Sequence, residues 1–311
     1  VLRMRPGLNG SEEYYDDKGV DMEDHIVRAT AAEGYVRAFA AVTTNLVQEA
    51  HTIHDSSGVA TVALGRTLTA AAMMARMLKN DKDVMTVQIR GDGPLGLIVV
   101  VSDAFSNVRG YVHNPKVYLP LNSAGKFDVA AAVGRNGYLN VIRDMGLREP
   151  YIGYVDLVSG EIGQDLAYYF AHSEQVPTVV AVGVLVNPDE SVAAAGGYII
   201  QLMPGADEEI IEYLEEKVLL SDSITYMLSN GMDASDVLES LLGEKGLSIT
   251  DRLPCRYQCT CGRDRMERNL ISLGAEEIEK MADEQHGAEL QCHFCNARYH
   301  FTEEELRALI G

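Results

Sequence analysis

A chain of 311 residues with 47% hydrophobic side chains has material for a sizeable core and for more than one folding unit. Its 26 basic and 46 acidic residues give a formal charge of −20, which argues against nucleic acid and anionic lipid as partners, because both are bound by Lys and Arg displacing counterions. The strongly apolar stretches, such as Thr178–Val186, are strand-length and too short to span a bilayer, and the first twenty residues lack the apolar run of a secretory signal. The expected location is the cytoplasm.

Residues 1–21 are polar and irregular and read as a disordered leader or an added remnant, with Met22 as the natural start. Strand-like runs at His25–Thr30 and Tyr35–Val42 flank an Ala-Glu-Gly turn. Asn45–His54 reads as a helix. Gly58–Leu78 reads as another, apolar almost all round and therefore buried, with Met73, Met74 and Met77 as core fillers. Met85–Ile89, Gly96–Ser102 and Asn107–His113 suggest a meander of three strands. The turn Gly91-Asp92-Gly93-Pro94-Leu95-Gly96 lacks the Gly-Lys-Ser/Thr ending of a phosphate loop.

Ser159–Glu174 has a helix start, with Glu161 and Asp165 early and Leu166, Tyr169 and Phe170 on one face. Ser159 is outside any G-x-S-x-G setting, so it is a cap rather than a nucleophile, and no catalytic residue is expected in the chain. Thr178–Val186 and Ser191–Met203 are strands joined by Asn187-Pro188-Asp189-Glu190. Strands and helices are interspersed without strict alternation. Residues 22–205 are therefore expected to form an α+β domain of mixed sheet and helix, not a doubly wound one.

Residues 206–254 form a helical linker with twelve acidic and three basic residues, a net charge of −9. Three short amphipathic helices are predicted, Asp207–Leu219, Ser221–Asn230 and Asp233–Leu242. Their apolar side is Leu219, Leu220, Ile224, Met227, Leu228, Val237, Leu238, Leu241 and Leu242. Helices this short depend on tertiary contact, so the linker is expected to rest on the first domain; the functional reading is a segment whose packing can be released. The small C-terminal domain, 255–311, has few large apolar residues: Ile271, Leu273, Ile278, Leu290, Phe294, Tyr299, Phe301, Leu306 and Leu309. Something besides a core must hold it.

All five cysteines lie between Cys255 and Cys295, which is the distribution of metal ligands or redox groups and not of a secreted disulfide scaffold. Cys259-Thr260-Cys261 and Cys292-His293-Phe294-Cys295 are two chelating pairs, and they predict one Zn²⁺ per reduced chain on four thiolates. His293 or His300 could replace one thiolate. Cys255 is expected to be a spare thiol. Zinc contributes about 10–16 kcal/mol in small domains, so its loss should unfold this region. Zinc-bound cysteines are also thiolates, the form that attacks peroxide, and each close pair can then form a disulfide, Cys259–Cys261 and Cys292–Cys295.

These cysteine motifs, with Asn269-Leu270-Ile271-Ser272-Leu273-Gly274 and Tyr299-His300-Phe301, resemble the redox-switch domain of the heat shock protein 33 family, the 33 kDa chaperonins. Ala63-Leu64-Gly65-Arg66-Thr67, Arg109-Gly110-Tyr111-Val112 and Ser173-Glu174-Gln175-Val176-Pro177 resemble its N-terminal markers, as do Gly91–Gly96 and Val158–Ile162. The resemblance runs from Met22 to Gly311. It implies an ATP-independent holdase for unfolding client proteins, activated by oxidants together with unfolding stress and homodimeric when active. Two other classes compete on the residues alone. A thiol-disulfide oxidoreductase would use Cys292 and Cys295 but needs a βαβ setting. A zinc-ribbon nucleic-acid module is disfavoured by the charge.

Overall fold

The computed structural model describes residues 3–6, 12–15 and 24–310. Part of the leader expected to be disordered is paired: Arg3–Pro6 (β1) and Glu12–Tyr15 (β2) form an antiparallel ribbon, in keeping with the extended preference of Tyr14-Tyr15. Met22 lies outside the described residues.

Past Asp24, His25–Ala31 (β3) and Val36–Val42 (β4) pair as a hairpin, followed by Thr44–His54 (α1) and Gly58–Ala75 (α2). The expected meander is present as Val84–Arg90 (β5), Leu97–Asp103 (β6) and Asn107–Val112 (β7). Between His113 and Ser159 three elements were not expected: Val129–Val133 (α3), Tyr138–Asp144 (β8) and Tyr151–Asp156 (β9). The two strands bury only Leu139, Val141, Gly153 and Val155 and alternate these with polar or exposed residues, so their hydrophobic signal is weak.

Gly163–His172 (α4) begins four residues later than expected. Asp165, inside the helix, collects the amides of Val158 and Ser159 at 2.8 Å and of Ile162 at 3.0 Å, which fixes the preceding loop outside the helix. Thr178–Val186 (β10) and Val192–Leu202 (β11) are where the sequence places them.

Two sheets sandwich a helical layer. The first runs β10-β11-β4-β3 and the second β7-β6-β5-β8-β9. α2 lies between them and is 94% buried, which is why it has no polar stripe. Among the described residues it is the one helix long and apolar enough by composition to cross a bilayer, and its burial identifies it as core. Gly65 permits the close layering: a Cβ there would meet Val47 at 2.6 Å and Val184 at 2.8 Å.

On the other face of the first sheet lie the linker helices Glu208–Leu220 (α5), Ile224–Ser229 (α6) and Ala234–Leu242 (α7). Asp207, Ser223 and Asp233 cap them by accepting main-chain amides. Ile210, Ile224, Met227, Val237, Leu238, Leu241 and Leu242 pack against Val27, Ala29, Ala38, Ala40, Tyr198 and Ile200. Leu219 and Leu220 do not join them; they are 83% and 73% exposed. The buried stripe of α5 is Ile210 and Leu214, at helical spacing, and the helix end runs past the sheet.

The linker does not end in helix. Ser248–Pro254 (β12) adds to the first sheet antiparallel to β3, and Arg256–Tyr257 (β13) adds to the second parallel to β7. Cys255 and Tyr257 therefore belong to the main core. Beyond them Arg263–Ile271 (α8), Ala275–Gln285 (α9), the hairpin Gly287–Gln291 (β14) and Arg298–Thr302 (β15), and Glu303–Ala308 (α10) surround a small cluster. It is built from Met266, Leu270, Ile278, Ala282, Phe301 and Leu306 around Cys292. Ile271 and Leu273, expected in this core, are 51% and 53% exposed, because Met266 and Leu270 supply the inward stripe of α8.

Candidate metal centre

Two turns bring four cysteines together. Cys259 and Cys261 lie between β13 and α8, and Cys292 and Cys295 lie in the turn of the β14–β15 hairpin. In that turn the Cys292 amide donates to Ala297 at 2.9 Å and the Asn296 amide to Cys292 at 2.8 Å. Asn296 has φ +57°, a left-handed conformation that asparagine tolerates.

All four sulfurs lie within 4.8 Å of one another. Two close approaches cross between the turns: Cys261 to Cys295 at 3.2 Å and Cys259 to Cys292 at 3.7 Å. The thiols are free. A tetrahedral tetrathiolate zinc site with Zn–S of about 2.3 Å has sulfur–sulfur edges of about 3.8 Å, so both donor set and spacing fit a zinc ion.

The histidines have other partners. The ring of His293 packs on Tyr111 with centroids 5.5 Å apart, and His300 Nδ1 lies 3.2 Å from Glu289. Tyr299 is the neighbour not anticipated as polar: its hydroxyl is 3.1 Å from the Cys261 sulfur. Burial raises the Cys261 thiol, but hydrogen bonds with Tyr299 and the neighbouring cysteines outweigh it and bring the pKa down to about 7. The signal was available in the alternation of β15, which places Tyr299 opposite Leu290 beside the turn.

Cys255 stands outside the cluster. It is 5% exposed in the main core, with its sulfur 3.8 Å from the Val42 carbonyl, and burial followed by the Asp24 charge pushes its thiol up. A thiol held neutral in this way is inert.

The turn that carries Cys292 and Cys295 also docks the C-terminal segment. The Phe294 ring meets Tyr111 edge-on at 5.3 Å, and the Arg109 guanidinium lies 5.3 Å from the same ring. The Tyr257 hydroxyl sits between the carbonyls of Phe294 and Gly110. His54 Nε2 donates to Gly110 at 2.9 Å, and burial lowers its pKa, favouring the neutral ring. The hairpin setting also lacks the strand-to-helix context that activates a thioredoxin-type cysteine.

A family model described as Hsp33 protein matches residues 24–302. The 33 kDa chaperonin of Acetivibrio thermocellus is 60% identical over 289 residues, 93% of this chain and 97% of the relative. That of Ruminiclostridium cellulolyticum is 54% identical over 289 residues, 93% of this chain and 98% of the relative. The crystal structure of the 33 kDa chaperonin of Thermotoga maritima, a heat shock protein 33 homologue, superposes with a TM-score of 0.85 at 40% identity, covering 92% of this chain and 97% of that one. With its motifs, its α+β fold and its cluster of four thiols, the chain belongs to the Hsp33 family.

Proposed function

We propose that this chain is an ATP-independent chaperone of the holdase type, inactive when reduced and zinc-loaded and switched on by oxidation. The observation that carries the reading is that one turn both contributes Cys292 and Cys295 to the thiol cluster and seats Phe294 on Tyr111. A change at the sulfurs is therefore a change at the docking contact. Family membership supports the chaperone class, and its relatives are named 33 kDa chaperonin.

Cys259, Cys261, Cys292 and Cys295 are the proposed ligands of one Zn²⁺. Bound zinc supplies about 10–16 kcal/mol of folding free energy and keeps the sulfurs as thiolates. Each close pair of thiolates then gives two electrons to one hydrogen peroxide, forming one S–S bond while the O–O bond breaks and its oxygens take up two protons from solvent to leave as two waters. After both pairs react no thiolate remains to hold a metal, and the seven buried residues of the small cluster are too few to keep the segment folded.

In this reading 255–311 senses the oxidant, 206–254 covers the first sheet, and 22–205 holds clients once the cover lifts. The packing of Cys255 and Tyr257 in the main core supports a hinge of the sensor just after β13. Homodimerisation of the oxidised form and a cytoplasmic site of action belong to the same proposal. The test is light scattering from heat-denaturing citrate synthase. Oxidised, metal-free protein should suppress aggregation and reduced, zinc-loaded protein should not; equal behaviour of the two forms would sink the switch.

A further inference from the structure

In a tetrathiolate site every sulfur is already a thiolate, so its reactivity depends on what else holds its lone pairs. Three of the four sulfurs are restrained by the chain itself. Main-chain amides of Cys261 and Ala297 donate to the sulfurs of Cys259 and Cys295, and Cys292 is only 6% exposed. Cys261 is restrained differently. The Tyr299 hydroxyl lies 3.1 Å from its sulfur, and among the described residues Tyr299 is the one side chain outside the four cysteines that hydrogen-bonds to any of them.

This donor comes from β15 and not from the knuckle, the turn that carries Cys292 and Cys295. Successive side chains of a strand point to opposite sides. Arg298 and His300 meet Glu289 on the outer side, whereas Tyr299 and Phe301 pack on the small cluster. Pairing with Leu290 fixes the height of Tyr299 along the hairpin, and its hydroxyl reaches a sulfur 38 positions earlier in the chain. A thiolate has no proton to give, so in the metal-loaded state the hydroxyl must be the donor.

We infer that Tyr299 is a positioning residue that sets how readily the switch answers peroxide, by holding a lone pair of the Cys261 thiolate in a hydrogen bond. A thiolate stabilised by a donor is a weaker nucleophile. The step it slows is attack of the Cys261 sulfur on one oxygen of hydrogen peroxide. The S–O bond forms, the O–O bond breaks, and hydroxide leaves and takes a proton from solvent. The Cys259 thiolate then attacks the sulfenic sulfur, forming the S–S bond and displacing a second hydroxide, which solvent also protonates. The inference deepens the proposed oxidative switch and rests on it.

The test is Tyr299→Phe, which keeps the ring and removes the donor, in full-length, reduced, zinc-loaded protein. Zinc release is followed with a chromogenic chelator at several hydrogen peroxide concentrations. The slope against concentration reads the chemical step, and the intercept reads spontaneous loss. Dimedone trapping of sulfenic acid at Cys261 should rise about five-fold, and the slope about two-fold, because Cys261 is one of four sulfurs. With cobalt(II) in place of zinc, the thiolate-to-metal charge-transfer band should move to lower energy, a signature that looser packing does not give. Leu306→Val, at a fully buried position of the same cluster, controls for packing; it should raise the intercept and leave slope and band alone. An unchanged slope for Tyr299→Phe overturns the inference. A lower slope does so too, since the hydroxyl would then be serving the leaving oxygen as a proton donor, and so does an equal rise in slope with Leu306→Val. If the unmodified reduced protein holds no zinc, or loses none to peroxide, the oxidative switch itself falls and this inference with it.

Discussion

The side-chain amide of Asn296 donates to the main-chain carbonyl of Ile53 at 2.6 Å, tying the residue after the second cysteine pair to the last turn of α1. Docking of the C-terminal segment thus uses residues within or beside the knuckle, while the sulfurs point away into the cluster. Asn296→Ala and Phe294→Ala are expected to loosen docking and leave the metal. Each removes a contact of about 1 kcal/mol, a hydrogen bond in one case and a ring contact in the other. Amide exchange near His54 and Gly110 should rise about five-fold while chelator-resistant zinc stays at one per chain. Unchanged exchange in both variants would mean that these contacts contribute nothing to docking.

Cys255 and Cys292 should respond differently to the same substitution. Cys255→Ser places a hydroxyl in the main core and should cost stability by about 1 kcal/mol or more, with zinc affinity intact. Cys292→Ser removes one of the four clustered sulfurs and should weaken zinc holding by orders of magnitude. A chelator competition assay reads both, and equal zinc loss in the two variants contradicts the assignment.

The cysteine site was legible because chelation depends on local spacing, and two close pairs with one other cysteine in the chain leave few partners to choose from. The buried helix was legible for the same kind of reason: Gly58–Ala75 carries no polar stripe. What could not be read was where the halves meet. The contacts of Asn296 with Ile53 and of Phe294 with Tyr111 join residues far apart in sequence, and no periodicity encodes them. β12 and β13 were hidden because edge strands bury little: Ile249 is 48% exposed. The linker stripe was read correctly at Val237–Leu242 and misread at Leu219–Leu220, because a leucine pair at a helix end has no neighbour in sequence to show that the sheet has already stopped.

That misreading gives a matched pair of variants. Leu238 is fully buried against the first sheet and Leu219 is 83% exposed. Leu238→Ala should cost about 2–5 kcal/mol and raise linker exchange in the reduced protein. Leu219→Ala should stay within about 0.5 kcal/mol of wild type. Urea denaturation of the two variants decides it; equal losses would show that the linker is not held by this stripe.

Asp24 links stability to pH. Its carboxylate accepts the amides of Asn45 at 3.1 Å and Leu46 at 2.5 Å at the start of α1. Burial outweighs those bonds and raises its pKa from 3.8 to about 7, with Glu49 adding to the rise. The folded state therefore holds this proton more tightly than the unfolded chain does. The resulting stability is fully present below about pH 4 and is lost as pH rises through about 7. Asp24→Asn cannot ionise. Between pH 5 and 8 the wild type should lose denaturation midpoint relative to the variant, and parallel curves would refute the linkage.

Oxidation should pair cysteines within each turn even though close sulfur approaches in the reduced protein cross between turns. A disulfide between Cys261 and Cys295 would join residues 34 positions apart and keep the small domain stapled. Once the first oxidised sulfur loosens the cluster, however, partner choice is set by loop length, and Cys259–Cys261 and Cys292–Cys295 close the shortest loops. Such short loops constrain little of the unfolded chain, so the segment after Tyr257 should lose its protection first. The linker helices should follow, because β12 and β13 are their covalent tie to the switch, and the −9 charge of residues 206–254 favours separation. Peptide mapping after peroxide at mild heat reads the pairing, and amide exchange reads the order. Predominant Cys261–Cys295 bonding, or a linker that stays protected while clients bind, would show that the switch does not work by unfolding.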